Sequence, residues 1–108
     1  MSKISGTRDD LDNELRALLK KENVYFQPPE GYKLTYPCFV YNFSGLDVKR
    51  ANNVPYLMKN RYTVTYMTKD PEKGMVMCKK FIKHFGLSGF DRPYVADGIY
   101  HYVFNVYF

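Results

Sequence analysis

The C-terminal stretch of the sequence constrains the fold most strongly, because it has the pattern of a β-hairpin that ends inside its second strand. Asp97 and Gly98 form a dipeptide suited to a two-residue turn with positive φ angles. From position 100 to 108, every even position is apolar or aromatic, whereas His101 is among the odd ones. This alternation predicts a strand with one buried face and with His101 on the polar face. We expect Phe108, an apolar final residue, to be held in a sheet or against a partner.

The length and composition predict one small domain with a surplus of interface-forming side chains. The chain has 108 residues, so we expect a single domain over 1–108, with residues 1–6 flexible. It contains 11 Tyr and 8 Phe, and tyrosine suits surfaces that are partly apolar and partly wet. The net charge of +5 permits, but does not require, an acidic partner. No apolar run approaches the length of a membrane span, and no membrane contact is predicted.

Two segments have the pattern of amphipathic helices. The first covers 7–21, where Ser5 or Thr7 is the candidate N-cap and four leucines form one stripe: Leu11, Leu15, Leu18 and Leu19. The second begins at Asp70-Pro71-Glu72, an N-cap followed by proline at the first helical position, and runs to about Phe85. Its predicted inward stripe is Met75, Cys78, Ile82 and Phe85, with Lys79, Lys80 and Lys83 facing outward.

The remaining apolar segments predict strands. Val24–Gln27 is a short extended piece, Tyr36–Phe43 is apolar on both faces, and Tyr56–Thr68 alternates. The polar segment 44–55 between the last two predicts a loop, with Lys49 and Arg50 near its middle. The order of elements predicts an α+β domain, in which a mainly antiparallel sheet carries an N-terminal helix and a second helix.

The residues that usually carry chemistry do not form a recognisable pattern. Cys38 and Cys78 match no zinc or redox spacing, so we expect two reduced thiols with Cys38 buried, the alternative being a disulfide between them. His84 and His101 are both predicted to lie on the surface. Asp91 and Arg92 are adjacent in a predicted strand, which would direct them to opposite faces. We therefore predict no catalytic site, no metal and no cofactor.

Nucleic-acid binding is the alternative function that the composition supports. The chain is basic and its strands are aromatic, as in proteins that stack bases on a sheet. The stretch 98–104 is only partly similar to the aromatic strand of an RNA-recognition motif, because Asp97 precedes the glycine and a helix opens the chain. In this alternative, Lys79, Lys80 and Lys83 of the second helix and exposed tyrosines bind nucleic acid, with an affinity that falls steeply with salt.

Several motifs together resemble a family of small bacteriophage tail-completion proteins, also called tail terminators or neck proteins. The resemblance runs from about residue 11 to the end. The motifs are residues 23–29 (Asn-Val-Tyr-Phe-Gln-Pro-Pro), 36–41 (Tyr-Pro-Cys-Phe-Val-Tyr), 61–65 (Arg-Tyr-Thr-Val-Thr), 69–71 (Lys-Asp-Pro), 90–98 (Phe-Asp-Arg-Pro-Tyr-Val-Ala-Asp-Gly) and 103–108 (Val-Phe-Asn-Val-Tyr-Phe). Pro93 departs from the family, where His is expected before Tyr94. Since proline cannot donate to a ladder, we expect an edge or bulged strand there.

The resemblance implies a structural virion protein of the phage tail and neck, assembled in the host cytoplasm, rather than an enzyme. Such proteins form a ring, usually a hexamer, on the finished tail tube. The ring stops tube polymerisation and joins the tail to the head connector. The implied partners are other copies of the chain, the tail-tube protein, the connector and neck proteins and, in contractile tails, the sheath. DNA passes through the lumen without specific binding.

A ring subunit needs two different complementary surfaces, which favour aromatic residues and arginine. We expect Lys59, Arg61 and Arg92 to make salt bridges between subunits, and the segment 44–55 to reach a neighbour, the tube or the connector. The candidate residues of the subunit and partner interfaces are Lys49, Arg50, Tyr56, Lys59, Arg61, Asp91, Arg92, Tyr94, Tyr107 and Phe108.

Overall fold

A computed structural model of the chain describes residues 7–20 and 23–108. Residues 1–6, predicted to be flexible, Ser5 among them, and Lys21, predicted to end the first helix, lie outside the described residues. The elements in chain order are α1 (Arg8–Leu19), β1 (Val24–Phe26), β2 (Cys38–Ala51), β3 (Val54–Thr68), α2 (Pro71–His84), β4 (Ser88–Ala96) and β5 (Ile99–Tyr107). The predicted α+β class is confirmed.

The five strands form one mixed sheet in the order β1-β2-β3-β5-β4. All neighbouring pairs are antiparallel except β1 with β2, which is parallel. The C-terminal hairpin is present as predicted, with positive φ angles at Asp97 and Gly98. Phe108 donates its backbone N–H to Asn60 over 2.8 Å, and its ring packs against the core, which confirms that the C-terminal residue is held in place.

Both helices pack on the same face of the sheet, called here the helix face, and the opposite one is the open face. The core between the helices and the sheet joins Leu11 and Leu15 of α1 to the even-numbered residues of β3 and β5, as the alternation predicted. α1 is also tied to the sheet by polar contacts. The Tyr41 hydroxyl donates to Asp12 Oδ2 over 2.7 Å, and the Arg16 guanidinium binds the same carboxylate. Thr7, one of the two predicted caps, begins α1 with a capping box.

The buried stripe of α2 differs from the prediction. Gly74, Met77 and Phe81 face the sheet, whereas Met75 and Ile82 are exposed. Phe85 is buried as expected. Lys79, Lys80 and Lys83 are exposed, which agrees with their predicted position.

Gly74 is required because the ring of Tyr102 lies against the backbone of α2. A Cβ atom at position 74 would be 2.0 Å from Cε2 of Tyr102, so one of the two elements would have to move. We expect Gly74→Ala to lower the free energy of unfolding by about 1–3 kcal/mol, as overpacked cores do, even though alanine is the better helix former. Urea unfolding followed by circular dichroism measures this loss.

A double-mutant cycle with Tyr102→Ala separates the clash from any intrinsic effect at position 74. Without the ring, Gly74→Ala is expected to stabilise the protein by up to about 1 kcal/mol, which reverses the sign seen in the wild-type background. The same loss in both backgrounds would show that the tyrosine ring is not what excludes a side chain.

The segment 44–55 is not a loop, and this prediction was wrong. β2 and β3 continue as a two-stranded ribbon that closes in a tight turn at Asn52 and Asn53, which both have positive φ angles of 53° and 65°. The ribbon extends past the rest of the sheet, and the molecule measures 50 Å along its longest axis against 29 and 23 Å. Because neither face of the ribbon is covered, the usual alternation of apolar and polar residues is weak. The sequence pattern of this segment therefore indicates a loop.

Candidate functional site

The ribbon formed by residues 42–61, called here the arm, has two chemically different faces. In antiparallel strands, residues directly opposite each other share a face. Leu46 opposes Asn60 and Val48 opposes Met58, so their side chains lie together and continue the helix face of the sheet. Phe43 adds to them at the base of the arm, where its ring contacts Tyr62.

This apolar face of the arm is open to solvent. The side chains of Phe43, Leu46 and Met58 are 50%, 52% and 56% exposed. Isolated exposed apolar residues are ordinary, but several side by side on a projecting ribbon are characteristic of a surface that another molecule covers.

The opposite face of the arm is basic. Lys59 opposes Asp47, Lys49 opposes Leu57, and Arg61 opposes Gly45. Asp47 and Lys59 face each other without forming an ion pair. Within the described residues, none of the three cations of this face has a carboxylate at salt-bridge distance.

Arg61 is fixed in place by neutral groups. Its Nη2 donates to the carbonyl oxygen of Ser44 over 3.1 Å, and its Nε donates to Ser44 Oγ over 3.3 Å. Ser44 Oγ in turn donates to the Arg61 carbonyl oxygen over 3.1 Å. The guanidinium crosses Gly45, where a Cβ atom would be only 2.5 Å from Nη2. The positive charge is therefore positioned but not neutralised.

Most of the sequence-predicted interface residues are brought to the open face of the sheet. Lys49, Lys59 and Arg61 lie on the arm, and Tyr107 pairs with Arg61 at its base. Arg92 and Tyr94 of β4 oppose open-face residues of β5, and the Arg92 guanidinium lies 5.7 Å from the Tyr94 ring centroid.

The other four candidates are placed differently. Phe108 packs towards the helices, and Arg50 lies near the tip of the arm, beyond a register shift. The side chain of Tyr56 lies outside the described residues. Asp91 stands at a β-bulge and binds Arg92 Nη1 over 2.7 Å, so the prediction that these two side chains point to opposite faces was wrong.

β4 is an edge strand, as Pro93 predicted, and it carries the second exposed apolar surface. The bulge and the proline leave its outer edge unsuited to pairing with another strand. Phe90 and Val95 nevertheless expose apolar side chains on the helix face, and Leu87 is also exposed just before the strand.

His101 is buried rather than exposed, which corrects the prediction that it lies on a surface. Its ring stacks on Tyr94 with centroids 4.4 Å apart, and its Nδ1 donates to the Ile99 carbonyl oxygen over 3.0 Å. The sequence did not indicate this, because Tyr94 reaches it from the neighbouring strand. His84 is exposed as expected and binds Glu14 over 2.7 Å.

The cysteines are free, and Cys38 is fully buried as predicted. Burial raises the pKa of its thiol to about 12, the opposite of what a reactive thiolate requires. In the described part of the chain, no three His, Cys, Asp or Glu side chains come together as metal ligands.

A groove of about 350 Å³ lies between the end of α1 and α2. Its floor is apolar, and Glu72 with three lysines forms the polar part of its lining. The lining residues of the groove are Leu18, Leu19, Lys20, Pro37, Tyr66, Glu72, Lys73, Val76, Met77 and Lys80.

Comparisons with known proteins give no family for this chain. No protein-family model matches the sequence, and no curated protein is significantly similar to it. Among the described helices, none is both long and apolar enough to span a membrane.

Proposed function

We propose that this protein is a structural virion protein without catalytic activity, which forms a ring at the head-proximal end of a phage tail. The ring ends growth of the tail tube and joins the tail to the head connector. The sequence motifs that resemble tail-completion proteins support this role, and a small α+β domain is compatible with it. The observation that carries the proposal is the exposed apolar face of the arm.

A projecting apolar ribbon favours contact between subunits. Desolvation of apolar surface contributes about 25 cal/mol per Å², and Phe43, Leu46 and Met58 leave such surface in water when the chain is alone. A second copy offers exposed apolar side chains in Phe90 and Val95, which share the helix face of β4.

The two surfaces are different, and this determines the kind of assembly. A contact between the arm of one copy and β4 of the next is heterologous, so it repeats around a ring until the rotation closes. We expect six subunits, as the resemblance implies. The bulge and the proline in β4 prevent a strand of another subunit from pairing with its outer edge. The subunits therefore join through side-chain packing of the arm.

Light scattering coupled to size exclusion tests the proposal. Wild-type protein is expected to form a discrete closed oligomer near six subunits. The arm variant Leu46→Gln/Met58→Gln and the β4 variant Phe90→Gln/Val95→Gln are each expected to be monomeric. The control variant Met75→Gln/Val76→Gln removes equally exposed apolar side chains of α2 and is expected to keep the oligomer.

Mixing the two defective variants distinguishes a heterologous contact from a symmetric one. The arm variant retains an intact β4 surface, and the β4 variant retains an intact arm. An equimolar mixture is therefore expected to give heterodimers and nothing larger. Wild-type protein that is monomeric at all concentrations, or a β4 variant that still assembles, would contradict the proposed contact.

A further inference from the structure

We propose that the basic face of the arm binds the phosphate backbone of double-stranded DNA, without sequence specificity. This is a second surface, on the opposite side of the ribbon from the proposed subunit contact. It differs from the nucleic-acid site expected from the sequence, which was placed on the lysines of α2.

The arm carries an excess of positive charge. Residues 42–61 carry four cationic side chains against a single carboxylate, Asp47, while the whole chain has a net charge of only +5. Lys49, Lys59 and Arg61 share one face, and none of them is paired with an acid among the described residues. A row of unpaired cations on a projecting element complements a polyanion, and each contact with a phosphate releases a condensed counterion.

The side chain of Arg61 is already held in a conformation that suits such a contact. Ser44 holds its guanidinium across Gly45 through neutral hydrogen bonds, so the side chain is ordered while its charge is still available. Less side-chain entropy is then lost when it meets a phosphate. Glycine at position 45 permits this arrangement because it has no side chain.

The shape of the arm favours DNA over RNA. The major groove of B-DNA is wide enough to admit a two-stranded β-ribbon, whereas that of A-form RNA is deep and too narrow for side chains to read. The arm is such a ribbon, about 30 Å long at 3.4 Å for each residue of a strand. Its tip is a two-residue turn of Asn52 and Asn53, which adds no bulk and no negative charge.

The experiment measures binding to a fluorescein-labelled 30-base-pair DNA duplex by anisotropy, from 50 to 200 mM NaCl. Wild-type binding is expected to weaken steeply with salt. The variant Lys49→Gln/Lys59→Gln/Arg61→Gln is expected to lose about 0.9 from the salt slope for each phosphate contact removed, and at least about tenfold in affinity at 50 mM salt.

Two further variants distinguish binding by the arm from a general effect of the protein's net charge. Lys79→Gln/Lys80→Gln/Lys83→Gln removes the same charge from the exposed face of α2 and is expected to leave the slope nearly unchanged. Gly45→Ala keeps every charge but displaces the Arg61 guanidinium, and it is expected to weaken binding as well.

The binding measurements can support the proposal or overturn it. A wild-type protein that does not bind at 50 mM salt, equal losses from the arm and α2 variants, or binding to an RNA duplex at least as tight as to DNA would each overturn the proposal. The masses of the same variants are measured in parallel, because the glutamine substitutions leave the apolar face intact. A loss of DNA binding that occurs only when the oligomer is lost would also overturn a direct contact.

Discussion

Replacing Phe81 with alanine is expected to lower the free energy of unfolding by about 3–5 kcal/mol, the usual cost of truncating a fully buried phenylalanine. Phe81 has no exposed surface, and its ring stacks on Phe104 with centroids 4.1 Å apart. It also contacts the rings of Phe39 and Phe85 at 5.9 and 4.8 Å. A single truncation thus removes contacts with two strands and with the end of α2.

The adjacent residue provides a matched control. Ile82 is 39% exposed, so Ile82→Ala is expected to cost about 1 kcal/mol or less. Urea unfolding of both variants decides between the two stripes of α2, because the sequence pattern placed Ile82 in the core. A larger loss for Ile82→Ala than for Phe81→Ala would mean that the helix is rotated relative to the arrangement described above.

The sequence indicated that α2 exists, but it did not determine which side of the helix is buried. Asp70 and Pro71 mark its start through local chemistry, and the structure begins the helix there. The inward stripe depends on partners far away in sequence. Apolar residues occur on two adjacent sides, and the match of Phe81 with Phe104 and of Gly74 with Tyr102 selects one of them.

The arm was missed for a related reason. Strand prediction relies on one buried face, and residues 44–55 have none, so their polar residues indicated a loop. The Asn52-Asn53 pair was a usable signal, because asparagine tolerates the positive φ angles of a two-residue hairpin turn. By contrast, the clean alternation of 61–68 and 100–108 was enough to place those strands, since a covered face imposes it.

The residues of the candidate site could be predicted from the sequence, but their arrangement in space could not. Lys49, Lys59 and Arg61 were recognised as interface residues, and their common face follows only from the register of β2 with β3. Pro93 indicated an edge or a bulge in this strand but not the position of the bulge, which follows Phe90 and places Asp91 beside Arg92. Bulges shift the alternation by one residue, so a pattern that assumes period two assigns the wrong face.

Raising the pH above about 9 is expected to destabilise the fold steeply. Burial raises the pKa of the Cys38 thiol from 9.0 to about 12. The pKa of Tyr41 also rises, from 10.0 to about 12, chiefly through burial and then through its hydrogen bond to Asp12. Both folded-state pKa values lie above the unfolded ones, so the stabilisation is complete below pH 9 and is lost as pH rises towards 12.

The unfolding free energy falls with pH at a defined slope, and replacing a titrating residue removes its share of that slope. Between about pH 9 and 12 the native thiol keeps its proton while the unfolded one releases it, which lowers the unfolding free energy by about 1.4 kcal/mol per pH unit. Cys38→Ala is expected to remove that contribution, and Tyr41→Phe to remove a second one that begins near pH 10. Urea unfolding at pH 8 to 11 measures both slopes, with the partly exposed Cys78→Ala as a comparator of smaller effect. An unchanged slope for Cys38→Ala would mean that the thiol ionises without unfolding, and hence that solvent reaches Cys38 in the folded protein.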